Sequence, residues 1–195
     1  MSSGRFDDAA GPLDKALKLL PNPETYTNLA IAYYYVGKFN EAVPLYEKAV
    51  ELSPNEEQFV GNLADGYRWA GSKDRATATY DRAIALALKQ LRTNPRDAMV
   101  RGHIGLYYAK NGDVARGTKF LRDARAIDDK NVELIYMEAL AYLLANRVSD
   151  AMSALKAAFD AGYQVSMAAA DPEWKVLGSD PRFAELLKQY PQKPR

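Results

Sequence analysis

An all-α fold, an α-α superhelix of stacked helix-turn-helix repeats, is predicted by three observations. The first is a set of columns. Ala30, Ala64, Gly105 and Ala139 lie 34, 41 and 34 residues apart, and Tyr33, Tyr67, Tyr108 and Tyr142 step by the same intervals. So do Gly37, Gly71, Gly112 and Asn146, then Ala42, Ala76, Gly117 and Ala151, then Tyr46, Tyr80, Leu121 and Leu155, and finally Ala49, Ala83, Ala124 and Ala158. The second is the order within a unit: a small residue, an aromatic three later and a glycine four after that. The third is punctuation, with proline and glycine placed where antiparallel helices must turn. Such an array has no single central core, so its function is expected on a surface.

Each element follows from this register. The first full unit spans residues 23–56, with helices expected near 24–36 and 39–52 and a stop at Ser53-Pro54-Asn55. The second covers 57–97, the third 98–131 and the fourth 132–163, where Ala161-Gly162 ends the last helix. The second unit carries seven extra residues after Ala83, about two helical turns, which lengthen its second helix without rotating its apolar face. Ile84, Leu88 and Leu91 keep that phase.

Residues 1–22 form a half repeat or an N-terminal capping helix. Gly4, Ala9, Leu13, Ala16 and Pro21 stand 33 residues before Gly37, Ala42, Tyr46, Ala49 and Pro54, which describes a second helix without its first and favours a cut from a longer array. Beyond Tyr163 the periodicity lapses, and Asp171-Pro172 and Asp180-Pro181 each signal a helix start. Two short helices with Trp174, Leu177, Phe183, Leu186 and Leu187 are expected over residues 164–195, capping the array.

Composition narrows the function. The 195 residues carry 26 basic and 25 acidic side chains, so no bulk charge points to nucleic acid, and the apolar stretches are too short to span a bilayer. The absence of cysteine and the single His103 argue against a metal site. No phosphate loop and no nucleophile, histidine and carboxylate set appear, so no catalytic residue, cofactor or enzyme activity is expected. Arg116, Lys119, Arg122 and Arg125 are read as a solvated face. With no signal peptide motif, a cytoplasmic location is expected. Gly117 inside a helix costs up to about 1 kcal/mol of propensity, which marks the third unit as the softest.

The columns resemble the tetratricopeptide repeat, through Leu29-Ala30, Tyr33, Gly37, Ala42, Tyr46, Ala49 and Pro54. Arg101, Glu138 and Asp129 depart from the pattern, where that family usually has a bulky apolar residue, leucine and the closing proline. Asn94-Pro95-Arg96-Asp97-Ala98, the long helix before it and the Asp-Pro tail look like the C-terminal repeat tails of bacterial multidomain signalling proteins. The resemblance implies a module that binds a protein or peptide in a concave groove lined by the first helices of each unit. Self-association into a homo-oligomer is the alternative.

By helical phase the groove collects Thr27, Asn28, Ile31, Tyr34 and Tyr35, then Asn62, Asp65, Arg68 and Trp69, then His103, Leu106 and Lys110, and lastly Tyr136, Met137, Leu140 and Leu144. Asn28 and Asn62 are equivalent, and an amide that donates and accepts at once suits an extended peptide backbone of any sequence. This resembles a short asparagine ladder. Tyr34, Tyr35 and Trp69 add aromatic anchors, and His103 a titratable contact. The carboxylate clamp of some family members is not expected, because Thr27, Ile31, Met99 and His103 stand where it needs basic or amide residues.

Overall fold

The computed structural model describes residues 4–190, the side chains at 4, 5 and 7 excepted. Among the described residues it is all helical. Eleven α-helices follow in order: α1 (Gly4–Leu19), α2 (Pro23–Tyr35), α3 (Phe39–Leu52), α4 (Glu57–Trp69), α5 (Lys73–Thr93), α6 (Ala98–Lys110), α7 (Val114–Ile127), α8 (Val132–Leu144), α9 (Val148–Asp160), α10 (Val165–Ala170) and α11 (Pro181–Gln189). A short 3-10 helix, Pro172–Leu177, precedes the last. The chain divides into two compact units, Met1–Lys89 and Gln90–Arg195.

The turns show why these residues make these elements. Gly37, Gly71, Gly112 and Gly162 all have positive φ, and Asn146 joins them at φ 57°. After each, the next N–H reaches back over the helix end: Lys38 to the Tyr33 carbonyl, Ser72 to Tyr67, Asp113 to Tyr108, Arg147 to Tyr142 and Tyr163 to Ala158, all at 2.8–2.9 Å. This is the left-handed helix stop that satisfies orphan carbonyls. The opposite ends are capped by side chains. Asn22 Oδ1 accepts from the Thr25 N–H at 2.8 Å while Thr25 Oγ1 accepts from the Asn22 N–H, a reciprocal box. Asp97, Asp113 and Asn131 cap α6, α7 and α8 in the same sense.

A second device ties each turn together. The tyrosine of each repeat lies under a basic side chain from beyond the turn: Lys38 over Tyr33, Arg75 over Tyr67, Arg116 over Tyr108 and Arg147 over Tyr142, at 5.9, 3.9, 4.4 and 4.5 Å from the ring centre. A carboxylate holds each arginine in place: Glu47 for Arg75, Asp113 for Arg116 and Asp150 for Arg147. Three of the four basic residues expected on a solvated face of α7 are also paired, Arg116 with Asp113, Lys119 with Asp123 and Arg125 with Glu138. Glu138, the departure noted above, thus has a charge partner, and it also accepts from the Tyr142 hydroxyl at 3.2 Å.

In the first unit, α1 to α4 pack in sequence, and α5 contributes Ala76, Tyr80, Ala83, Ile84 and Ala87 to the buried set. At 21 residues α5 is the longest helix, against 14 for α3 and α7. Its phase differs from expectation in one place. Leu88 is exposed, and Ala83, Ile84 and Ala87 form the buried seam of the helix instead.

The second unit pairs α6 with α7 and α8 with α9. Gly105 and Gly117 meet across the α6–α7 contact, where a Cβ on Gly117 would stand 2.7 Å from the Gly105 carbonyl oxygen. Gly117 is therefore demanded by close approach, a packing reason that the propensity cost alone did not reveal. The region after Tyr163 is more helical than its lapsed periodicity foretold, since α10 adds a helix to the two expected there. Asp171 and Asp180 cap the 3-10 helix and α11 by accepting from the Glu173 and Arg182 N–H groups at 2.9 Å. Trp174, Leu177, Phe183 and Leu186 join Leu140, Leu143, Leu155 and Phe159 in one apolar cluster, with Leu187 against it.

Candidate interaction face

The first unit presents α2 and α4 side by side. Asn28 is exposed on α2 and Asn62 half-buried on α4, and among the described residues no hydrogen bond engages either side-chain amide. A side-chain amide of this kind can donate and accept at once. Beside them runs an aromatic series that sequence reading saw only in part. Phe6 of α1 stacks on Tyr35 at 4.7 Å, Tyr35 meets Tyr34 edge-on at 5.6 Å, Tyr34 meets Phe39 edge-on at 5.4 Å, and Phe39 stacks on Trp69 at 5.5 Å. The Arg68 guanidinium lies 5.4 Å from the centre of the Trp69 ring.

These contacts sort the predicted groove residues. Tyr34 is buried within the series, and Thr27 is buried too, so neither is an exposed anchor; the reading of both as groove surface is corrected. Helix-to-helix packing consumes them. Tyr35 is part-exposed but one of its faces is covered by Phe6. Trp69 is part-exposed, with an indole N–H that is buried and finds no acceptor among the described residues. Asp65 accepts from the Tyr80 hydroxyl and so ties α4 to α5. It also helps hold the buried Tyr46 phenol well above the usual tyrosine range, after burial itself, the larger cause. Phe6 and Phe39 fall outside the six columns, so the repeat pattern does not point to them.

The second unit uses its predicted groove residues differently. His103 and Lys110 lie part-exposed on α6, His103 stacked on Tyr107 at 6.2 Å. Leu106 and Leu144 are partly buried against apolar clusters, and Tyr136, Met137 and Leu140 are buried outright, which corrects their assignment to an open surface. Met137 packs with Ala109, Leu121 and Ala124, whereas Tyr136 and Leu140 are covered by the C-terminal segment. The Tyr136 hydroxyl donates to Asp171 Oδ2 at 2.6 Å and accepts from Trp174 Nε1 at 3.1 Å, while Tyr163 stacks on its ring at 3.9 Å. Burial raises the Asp171 carboxyl above its ordinary value, and the Lys110 charge is the leading opposing influence. Partial loss of solvent raises the Glu133 carboxyl above its ordinary value, opposed by the His103 charge.

Among the described residues no group of three or more His, Cys, Asp or Glu gathers as for a metal ion, and no helix is long and apolar enough to cross a membrane. The first-unit face thus places Asn28 and Asn62 beside an aromatic series.

Comparison with known proteins agrees with this architecture. Residues 23–56 match the family model of the tetratricopeptide repeat. A solved structure, the thermophilic repeat protein TTC0263 from Thermus thermophilus, superposes with a TM-score of 0.59 at 24% identity, covering 96% of this chain and 89% of that one. The fold is that of tetratricopeptide repeats. MamA aligns more loosely, with a TM-score of 0.46 at 25% identity over 81% of this chain and 89% of that one. YrrB, described as having an unusual peptide-binding site, gives 0.40 at 16% identity over 82% and 98%. No curated protein matches in sequence. A shared fold does not by itself assign an activity, which lies in the side chains grafted onto the common frame.

Proposed function

We propose that this tetratricopeptide module grips an extended peptide segment along α2 and α4 of its first unit, with Asn28 and Asn62 on the peptide backbone and Trp69, flanked by Arg68, against a side chain. The observation that carries the reading is the pair of unengaged amides at equivalent positions of consecutive repeats. An amide pair spaced by one repeat meets a peptide backbone at two points without regard to its sequence, while an aromatic side chain supplies selectivity. Tyr35 and Asp65 frame the expected groove in this unit without being its principal contacts. The tail resemblance supports a scaffold or regulatory part of a larger bacterial signalling protein, working in the cytoplasm.

The test uses a displayed library of unstructured twelve-residue peptides selected on the intact chain, with the selected peptides measured by calorimetry. Asn28→Ala and Asn62→Ala each weaken binding roughly three- to tenfold, the value of one hydrogen bond of about 0.5–1.5 kcal/mol, and leave helical content unchanged. Peptides that bind both variants as tightly as the parent chain would remove this face from consideration.

A further inference from the structure

In the first unit a carboxylate sits where the second helix of one repeat meets the first helix of the next, α3 against α4. Glu47 of α3 accepts from the Tyr67 hydroxyl and from Arg75 Nη2, both at 2.7 Å, while the Arg75 guanidinium lies over the Tyr67 ring. The anion is thus held between a phenol and a guanidinium. Glu47 stands ten residues after the turn glycine Gly37.

The matching junction of the second unit, α7 against α8, carries the opposite charge at that position. Ten residues after Gly112 stands Arg122, while Tyr142 occupies the column of Tyr67 and Arg147 lies over its ring. A cleft of about 50 Å³ lies here, lined by Arg122, Glu138, Tyr142 and Arg147, with the buried Leu121 and Ala141 as its apolar part. That is room for more than one water-sized group. The charges around it do not balance. Arg125 offsets Glu138, and Asp150 offsets Arg147 through its Nε alone. Among the described residues Arg122 has no hydrogen bond or ion pair, and the Nη groups of Arg147 have no acceptor. Three guanidiniums gather with two carboxylates, which leaves one positive charge unmatched.

We propose that this cleft binds a carboxylate of the size of a glutamate side chain, held between Arg122 and Arg147 beside Tyr142. The ligand then brings to the second unit the group that Glu47 supplies from within the chain in the first. Guanidinium forks match a planar carboxylate, and a single unmatched positive charge suits a monoanion. The Glu138 charge disfavours a dianion such as phosphate. The site lies wholly in the second unit and does not depend on the amide pair of α2 and α4.

The probe is propionate, the glutamate side chain in isolation, titrated into the intact isotope-labelled chain at constant ionic strength. NMR follows the Nε–H signals of Arg122 and Arg147. Both shift saturably with propionate, and neither shifts with propionamide, which keeps the shape and lacks the charge. Arg122→Gln, read on the Arg147 signal, raises the Kd roughly tenfold, the loss of one hydrogen bond to a charged group. Its thermal transition stays near that of the parent, because Arg122 is exposed. Arg122→Glu restores the acid of the first unit and abolishes propionate binding, with its helical signal retained as the check on folding. A capped tripeptide with glutamate between two alanines separates the sources of the carboxylate. Tighter binding than propionate makes the ligand an acidic side chain of a partner, and equal or weaker binding makes it a free small carboxylate; both support the site. Absence of saturation, an equal response to propionamide, tighter binding of phosphate, or one Kd for the parent and Arg122→Gln overturns the proposal.

Discussion

Gly105 on α6 and Gly117 on α7 put two helix backbones in direct contact: a Cβ on Gly105 would lie 2.9 Å from the Gly117 carbonyl oxygen and 2.7 Å from Leu121 Cγ. Neither helix can carry a larger residue there without moving apart. The propensity cost of two interior glycines is thereby offset by packing that no alanine pair permits.

Gly105→Ala and Gly117→Ala are each expected to destabilise the chain by about 1–3 kcal/mol through overpacking, read as a lower urea midpoint at unchanged slope. Gly11→Ala is the matched control. A Cβ on Gly11, inside α1, meets nothing within 4 Å, so the gain in helix propensity, up to about 1 kcal/mol, is unopposed. Loss of stability in Gly11→Ala, or gain in Gly117→Ala, would reverse the assignment of which glycines pack.

Asn146 ends α8 with a positive φ of 57°. Asn146→Gly is expected to be neutral or to raise stability by a few tenths of a kcal/mol, and Asn146→Ala to lower it by about 1–2 kcal/mol, the penalty of a Cβ in the left-handed region. Thermal melts of the two variants side by side check the order.

Asp171 gives the C-terminal segment a pH dependence of determinate sign. Burial raises its folded pKa above the unfolded value, so folding takes up a proton. Its contribution is fullest below the unfolded carboxylate value, near about 4, and is lost as pH rises through the raised folded value. Compared with Asp171→Asn, which cannot titrate, the parent chain should gain relative stability as pH is lowered through that window. Denaturation midpoints of both chains across a pH series measure it; a difference that is flat or of opposite slope rejects the assignment.

Trp174 is 1% exposed and Trp69 part-exposed, and the molecule has no third tryptophan. Trp174→Ala is expected to cost about 3–5 kcal/mol, the usual figure for a buried tryptophan, and to leave an emission spectrum red-shifted and more readily quenched by iodide. Trp69→Ala should instead leave the blue-shifted, protected component.

Legibility in the sequence followed the physics of each feature. The all-α class, the glycine turns and the Asp-Pro helix starts were readable because each is local: a positive φ or a capping carboxylate is written in one or two residues. The lengthening of α5 by two turns was equally plain in the interval after Ala83, although the exposed Leu88 shows that phase alone does not say which apolar residue faces the seam. The face was harder. Asn28 and Asn62 were found by their column, yet Tyr34, Thr27, Tyr136 and Leu140 share the same phase and are buried.

The sequence by itself determined the repeat, its turns and the helix ends, because these depend on backbone conformations that neighbouring residues dictate. Only the tertiary structure decided which inward residues stay open. Phe6 and Phe39 close around Tyr34 and Tyr35. The C-terminal segment, through Asp171 and Trp174, covers Tyr136. Exposure is a property of what arrives from elsewhere in the chain, and helical phase carries no record of it.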